Sequence, residues 1–259
     1  MSGDRPITRR NVLNNAAALG VALTLGGCDA GSDSPIVKKV ESVGEALTNS
    51  VQRALLPRSS LAKEYSDEAI SREFRANGST DVDDPEYRRF AKDAFRNWAL
   101  QVDGIVESPG RYTLSTLRSM PSRTQVTRHD CVEGWSCIGK WTGVPLSVVL
   151  EKVGLKPEAK YVVFHCADTL GASLDAGLYY ESIDLADAYH SQTILAYDMN
   201  GQPLKEAYGA PLRLRVERQL GYKMAKFVMR IEAVESFANI YGGKGGYWED
   251  RGYQWYAGI

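Results

Sequence analysis

One stretch, residues 128–146, constrains the fold more than any other part of this 259-residue chain. It reads RHDCVEGWSCIGKWTGVPL and contains two of the four cysteines, two of the five tryptophans and one of the three histidines. Glycines and a proline interrupt it, so its composition fits neither a regular helix nor a regular strand. A thiolate is a soft ligand that suits metals already carrying sulfur donors. The stretch therefore predicts a loop that holds a bound group, with Cys131 as the candidate ligand.

Other interpretations of Cys131 stay open at this point. Free cysteines are most often small buried hydrophobic residues. A nucleophile paired with His129 or His165 is a further option, although sequence spacing does not show that such a pair meets. Cys137 follows too far from Cys131 for a zinc site, and we expect it to be a buried thiol without an assigned role.

The glycines and tryptophans of the stretch fit a large ligand. Gly134, Gly139 and Gly143 are expected to let backbone amides approach it, while Trp135 and Trp141 offer flat walls. A glycine-rich loop over core tryptophans is the alternative.

Composition limits the classes of function. Hydrophobic residues make up 44% and charged residues 24% of the chain, as is usual for a globular protein. A net charge of -1 gives no basis for binding nucleic acid. A chain of this length buries a sufficient core without disulfides.

The N-terminal segment predicts export rather than a part of the fold. Residues 8–13 carry an Arg-Arg pair, 16–25 form an apolar run, and 25–28 read Leu-Gly-Gly-Cys. The run is shorter than the roughly 20 residues that span a bilayer. This order resembles a Tat signal with a lipobox over 1–28 and implies a periplasmic protein with a lipid anchor on Cys28; an amphipathic helix is the alternative. We expect 29–60 to be a tether and 61–259 one folded domain.

The cysteine count bears on the metal hypothesis. If Cys28 is lipidated, Cys131, Cys137 and Cys166 remain, an odd number for an oxidising compartment. At least one thiol is then free or bound to a ligand. Without lipidation, four cysteines allow two disulfides and the metal hypothesis weakens.

Strands dominate the predicted domain, which places it in the α+β class. Runs rich in β-branched and aromatic residues predict strands over 98–102, 125–129, 161–166, 179–183, 194–197, 211–216 and 227–234. The run 211–216 alternates and predicts one polar face. Asp103-Gly104 and Asn200-Gly201 predict hairpin turns. Helices are predicted to begin at Pro85 and to cover 115–120, 145–153 and 185–189.

A second candidate site follows far along the chain. Arg213 ends the run Gly-Ala-Pro-Leu-Arg, and Lys223 and Lys226 flank a tight loop. Convergent arginine and lysine side chains with exposed backbone N–H groups bind anions, and phosphate is the most obvious one. A solvated basic face is the alternative.

Together these pieces resemble the sulfite-oxidase-type molybdopterin fold. Cys-Val-Glu-Gly-Trp-Ser at 131–136 is followed by Trp141-x-Gly-Val-Pro-Leu, by Gly-Ala-Pro-Leu-Arg at 209–213 and by Gly-Tyr-Lys at 221–223. The order matches the branch of periplasmic methionine-sulfoxide reductase catalytic subunits from about residue 74 to residue 231. The resemblance implies a mixed, β-rich single catalytic domain without the C-terminal dimerisation β-sandwich of sulfite oxidases, and therefore a monomer.

The resemblance also implies a molybdenum–molybdopterin cofactor and the residues that hold it. Cys131 matches the protein ligand to molybdenum, and Tyr179 resembles the active-site tyrosine of sulfite oxidases. Tyr208 departs from the reductase branch, which has a pterin-binding asparagine there. The residues that match other cofactor-binding positions are Asn77, Cys166 (in place of a threonine), Arg213, Met224, Ala225 and Lys226.

The implied chemistry is the two-electron transfer of an oxygen atom to or from a small substrate. Sulfoxide reduction, N-oxide reduction and sulfite oxidation all fit, and Lys140 is expected either to favour an anionic substrate or to be a solvated lysine. The chain has no haem-attachment motif and no flavin fingerprint. We therefore expect a separate redox partner, either a c-type cytochrome or a membrane haem protein.

Several aromatic and histidine side chains complete these expectations. Trp135, Tyr179 and the aromatic residues of 241–259 are expected to form the substrate cavity. His129 and His190 are expected to be structural.

Two other classes of protein remain open. One is an exported binding lipoprotein in which Cys131 is disulfide-bonded to Cys137 or Cys166. Molybdenum content separates it from the enzyme. The other is a cysteine-dependent hydrolase, whose thiol reacts with alkylating agents while a metal-bound thiolate is protected.

Overall fold

The computed structural model describes residues 59–170 and 177–259 and, before them, the helical positions Gly44, Leu47 and Val51. The chain divides into two compact units, Met1–Val51 and Gln52–Ile259. All elements named below lie in the second unit. The export signal predicted over 1–28, including Cys28, and nearly all of the predicted tether lie outside the described residues and stay predictions. In the described part of the chain, no helix has both the length and the apolar character needed to cross a membrane.

Ten strands and four α-helices make up the described part of the second unit. The strands are β1 (Ala99–Gly104), β2 (Gly110–Thr113), β3 (Arg123–Asp130), β4 (Ser136–Pro145), β5 (Tyr161–Cys166), β6 (Tyr180–Asp184), β7 (Ile194–Met199), β8 (Gln202–Pro203), β9 (Arg213–Arg215) and β10 (Val228–Val234). The helices are α1 (Pro85–Lys92), α2 (Leu114–Ser119), α3 (Leu146–Val153) and α4 (Leu185–Ala188). Single 3-10 turns cover Asp67–Ala69, Glu206–Tyr208, Gly221–Lys223 and Glu249–Arg251.

The strands form two sheets. The first has the order β2-β1-β10-β5-β6, in which β1 and β10 are parallel and the other neighbours antiparallel. The second has the order β3-β4-β7-β8, with β9 beside β7, and is antiparallel throughout. This strand-rich arrangement with short helices confirms the predicted α+β class. Residues 235–259, which follow β10, add no further strand to either sheet.

The main core forms where the apolar face of α3 meets the first sheet. Leu146, Val149, Leu150 and Val153 are fully buried and follow the i, i+3, i+4, i+7 spacing of one helix face. Phe164 of β5 is fully buried in the same cluster. Each such side chain contributes about 1.5–3 kcal/mol relative to an exposed one.

Two local signals in the sequence are confirmed. Helix α1 begins at Pro85 because the Asp84 side chain accepts a hydrogen bond from the Tyr87 N–H at 2.7 Å, and proline lacks the N–H that would have no partner there. Asn200 and Gly201 have φ values of 52° and 76° and join β7 to β8 in a hairpin.

The hairpin turn predicted at Asp103-Gly104 is wrong. Both residues belong to β1 and pair in parallel with Glu232 and Ala233 of β10. The chain turns toward β2 only over 105–109. Gly104 has a φ of 87°, and a Cβ there would collide with the backbone of Ala233. The glycine therefore permits a close approach of two strands rather than a turn.

The central stretch is also more regular than its composition predicts. β3 continues to Asp130 and β4 starts at Ser136, so only residues 131–135 form the loop. A Cβ on Gly143 would collide with the carbonyl oxygen of Leu195 on β7, and one on Gly139 would lie 3.2 Å from the Phe74 ring. These two glycines serve the packing of β4, so the expectation that they open the backbone to a ligand is wrong.

Gly143→Ala should destabilise the fold far more than Gly134→Ala. Gly134 has a φ of 84° with open space around its Cβ position, so its substitution should cost about 1–2 kcal/mol. Gly143→Ala forces two strands apart and should cost about 3 kcal/mol or more. Urea unfolding of both variants checks this, and equal costs would show that β4 and β7 are not in close contact at Gly143.

Candidate cofactor site

A cavity of about 670 Å³, part of it open to solvent, lies at the turn that carries Cys131. Its size is that of a cofactor pocket. Five separate segments of the chain and the C-terminal region meet there. The lining residues are Asn77, Gly78, Ser79, Cys131, Val132, Glu133, Asp168, Leu170, Tyr179, Gly221, Tyr222, Met224, Lys226, Trp248 and Tyr253.

Cys131 is placed by the end of β3. Its N–H donates to the Trp135 carbonyl at 2.9 Å, and its carbonyl accepts from the Gly134 N–H at 3.0 Å, which closes a tight turn. The side chain is half-buried, and burial raises the pKa of the Cys131 thiol, with a smaller opposing contribution from a hydrogen bond of the Glu133 backbone. The thiol thus has none of the pKa lowering that activates a hydrolase nucleophile.

Cys131, Cys137 and Cys166 are all free. The disulfide that the binding-lipoprotein hypothesis required between Cys131 and one of the others is therefore not formed. Cys137 lies on β4 with its Sγ 3.9 Å from the Glu73 carbonyl. Cys166 is buried and does not line the cavity, and burial raises the pKa of its thiol well above the usual value.

Arg213 lies behind the cavity wall, fully buried on β9. Its Nη1 donates to the Tyr208 carbonyl at 3.1 Å, but its Nε and Nη2 find no partner among the described residues. The guanidinium lies over the Trp141 ring, 4.8 Å from the centroid. Burial, followed by the neighbouring charge of Arg215, lowers the pKa of Arg213 to about 9. A buried cation with two unpaired donors indicates a missing anion.

Lys226 is the cation of the cavity wall and holds the Asn77 loop in place. Its Nζ donates to the carbonyls of Asn77 and Ala207 at 2.8 Å each and to the carbonyl of Ser79. Burial, followed by the charge of Arg213, lowers the pKa of Lys226 to about 7. Gly209 has a φ of 101°, and a Cβ there would lie 2.9 Å from Lys226 and 3.3 Å from Arg213. The glycine therefore lets the two cationic residues lie side by side.

Lys223 does not join this pair. It is fully buried and its Nζ is bound by Glu181 and by Glu249, the latter at 2.6 Å. The anion site expected from three cations thus contains Arg213 and Lys226 only. The polar strand face predicted over 211–216 is also wrong: β9 covers Arg213–Arg215 alone, and all three of its residues are buried.

The remaining predicted site residues divide between the cavity and the core. Asn77, Met224 and Tyr179 line the cavity. Ala225 is fully buried and its carbonyl accepts from the Leu214 N–H at 2.8 Å. The Tyr179 hydroxyl donates to the Tyr222 carbonyl, so the ring is fixed in the wall.

Three expectations from the sequence concern residues near the cavity. Trp248 and Tyr253 of the aromatic C-terminal region line it. Trp135 does not, and its ring lies 5.6 Å from that of His129. Lys140 lies on β4, where its Nζ is 2.6 Å from the Asp67 carboxylate, so the idea that it favours an anionic substrate is wrong.

Asp168 is a cavity residue that the sequence did not single out. It is buried, and its Oδ1 has no partner among the described residues. Burial raises the pKa of Asp168 to about 6, although a Ser79 hydrogen bond and the Lys226 charge oppose the shift. Asp168 follows the end of β5 in a polar loop, and nothing in that sequence indicates that its carboxylate is buried.

The donors of this region fit a molybdopterin cofactor. In the described ranges, the buried side-chain nitrogens and hydroxyls without a partner all lie on the second sheet, at Thr127, His129, Trp141 and Arg213. Native proteins leave few such groups unpaired. A large group with many acceptor atoms and a phosphate would satisfy these donors, and the Cys131 thiol supplies the soft ligand that its metal requires.

The chain is similar to proteins of known family. The family model described as oxidoreductase molybdopterin binding domain matches residues 88–241. A putative protein-methionine-sulfoxide reductase subunit YedZ1 of Azospira oryzae is 39% identical over 250 residues, 96% of this chain and 87% of the relative. The protein-methionine-sulfoxide reductase catalytic subunit MsrP of Xanthomonas campestris is 32% identical over 228 residues, 84% of this chain and 67% of the relative. The sulfane dehydrogenase SoxCD of Paracoccus pantotrophus superimposes with a TM-score of 0.48 and 26% identity over 54% of this chain and 39% of its own.

Asp168→Asn should relieve a pH-dependent cost. The folded-state pKa of about 6 exceeds the roughly 3.9 of an unfolded aspartate, so the folded protein binds more protons between these values and loses stability as pH rises through them. Cofactor-free variant and wild type should differ least near pH 4, and the variant should gain relative stability up to about pH 7. Thermal unfolding at several pH values checks this; a constant difference would contradict the burial of an ionised Asp168.

Proposed function

Because the chain belongs to the family of oxidoreductase molybdopterin-binding domains, we propose that it is the catalytic component of an exported enzyme that reduces sulfoxides, with Cys131 bound to molybdenum. Membership makes it an oxidoreductase with a molybdenum–molybdopterin cofactor. The relatives from Azospira and Xanthomonas are named as protein-methionine-sulfoxide reductase subunits. The single observation that carries the site assignment is the unpaired buried guanidinium of Arg213 beside a cavity that contains a free thiol.

The chain's own groups hold the cofactor. The Cys131 thiolate binds the metal, and Arg213 and Lys226 bind the phosphate, whose charge raises the pKa of Lys226 again. Asn77, whose loop Lys226 fixes, contacts the pterin together with Met224. When bound, the cofactor supplies the two-electron oxygen-atom exchange.

The polar groups of the cavity favour a neutral substrate. Glu133 and Asp168 line it, and among the described lining residues Lys226 is the only cation, with its Nζ already bound to three carbonyls. A sulfite dianion would meet two carboxylates and no available positive side chain, which is unfavourable. A sulfoxide or an N-oxide carries no net charge, and the rings of Trp248 and Tyr253 offer apolar contact to its substituents.

Proton supply is the second task of the protein. Reduction of a sulfoxide consumes two electrons and two protons and releases a sulfide and water. Asp168 lines the cavity with a pKa of about 6, so its Oδ1 can take up and give a proton near neutral pH. Tyr179 shapes the opposite requirement, a rigid wall, because its hydroxyl is held by Tyr222.

Electrons must arrive from outside the chain. The two relatives are named as subunits, and we propose a c-type cytochrome or a membrane haem protein as the redox partner of this monomeric chain. Export by the Tat route to the periplasm and a lipid anchor on Cys28 would keep the enzyme close to either.

Cys131→Ser should abolish activity and lower the molybdenum content. A serine hydroxyl is a poor replacement for a soft thiolate ligand. Metal analysis, pterin fluorescence and dye-linked sulfoxide reduction measure the effect. Cys137→Ser is the matched control, since Cys137 is also free and half-buried, and it should keep metal and activity. Normal activity in Cys131→Ser would refute the proposed function.

The purified enzyme should prefer sulfoxides to sulfite by at least 100-fold in kcat/KM, on the order expected when a binding site leaves charges unpaired. Lys140→Ala should leave both values unchanged, because Lys140 lies outside the cavity. Reduction of sulfoxides with an artificial electron donor and oxidation of sulfite with an acceptor provide the comparison. Efficient sulfite oxidation would overturn the assignment of a neutral substrate.

A further inference from the structure

A buried chain of polar side chains ends at His129, two residues before Cys131. Gln125 Nε2 donates to Glu217 Oε1 at 2.9 Å. The same carboxylate is bound by Arg215, from Nε at 2.9 Å and from Nη2 at 2.7 Å. Gln125, Glu217 and Arg215 are at most 3% exposed. The pair Arg215–Glu217 is therefore fixed in both position and charge.

Arg215 determines where His129 carries its proton. Arg215 Nη1 lies 3.0 Å from His129 Nδ1. A guanidinium only donates hydrogen bonds, so Nδ1 must accept, and the proton of the neutral ring lies on Nε2. Met224 Sδ, 3.3 Å from Nδ1, is a weak acceptor and does not compete with this donor.

The resulting Nε2–H has no partner among the described residues, although His129 is completely buried. It points at Gly221, where an added Cβ would collide with Nε2. Gly221 itself lines the cavity. By contrast, both nitrogens of His190 are satisfied, with Nε2 3.0 Å from the Ser60 carbonyl and Nδ1 accepting from the Gln192 N–H. His190 is a satisfied structural histidine, and His129 is not.

We propose that His129 is a cofactor-binding residue whose Nε2–H donates a hydrogen bond to an acceptor atom of the bound molybdopterin, and that Arg215 is the positioning residue that fixes this tautomer. The inference rests on the proposed cofactor site and replaces the structural role expected of His129 from the sequence. It also explains why a glycine is required at 221, since any side chain there would block Nε2.

Loss of the donor should weaken cofactor retention. His129→Leu should release molybdenum and pterin about 10-fold faster during dialysis, as is usual when a residue that supports a metal site is removed. His129→Gln, whose amide places a donor near the Nε2 position, should restore part of the retention. His190→Leu is the matched control for a buried histidine and should retain cofactor at the wild-type rate. The gain in Tm between cofactor-free and loaded protein should shrink in His129→Leu only.

A measurement on the wild type keeps the test independent of folding. With ¹⁵N-labelled histidine, the His129 Nε2 resonance should show the protonated nitrogen in both forms and should shift when the cofactor is bound. An Nε2 resonance that is identical in cofactor-free and loaded protein, or wild-type cofactor retention in His129→Leu, would overturn the inference. Wild-type protein without any molybdenum would instead refute the proposed function, so the two failures are distinguishable.

Discussion

The structure depends on a positive charge that the protein alone does not neutralise. Arg213 is fully buried against the Trp141 ring, with two donors that meet no acceptor in the described part of the chain. An unpaired buried charge is strongly destabilising, and each unpaired donor adds about 1–3 kcal/mol. The neighbouring Arg215 has its own carboxylate in Glu217. A phosphate at Arg213 would remove this cost, so cofactor binding and folding stability are coupled.

The two sheets bring the chemical groups together. The second sheet supplies the ligand side, with Cys131 directly after β3 and Arg213 on β9, while the first supplies Asp168 after β5 and Tyr179 before β6. Lys226 connects the segments because its three carbonyl contacts reach two different loops. The cavity is therefore assembled from positions far apart in sequence but fixed by regular strands, as an accurately placed metal ligand requires.

The sequence predicts the parts of the fold in which local chemistry decides. The β-branched run of β5, the Asp84-Pro85 helix start and the Asn200-Gly201 hairpin all form where expected. It fails where a distant contact decides, since only the carbonyl of Leu195 shows why position 143 is glycine within β4. The cations follow the same division. Motif spacing places Arg213 and Lys226 near an anion, whereas the pairing of Lys223 with Glu181 and Glu249, 42 and 26 residues away, appears only in the structure.

The most direct test of the account is a crystal structure of the molybdenum-loaded protein. We predict a phosphate oxygen of the cofactor within about 3.2 Å of Arg213 Nε or Nη2, the upper limit of an ordinary hydrogen bond, and the metal bonded to Cys131 Sγ. Both donors of Arg213 should then be satisfied by the same anion. A cofactor phosphate placed elsewhere, with Arg213 paired to protein or water, would contradict the account.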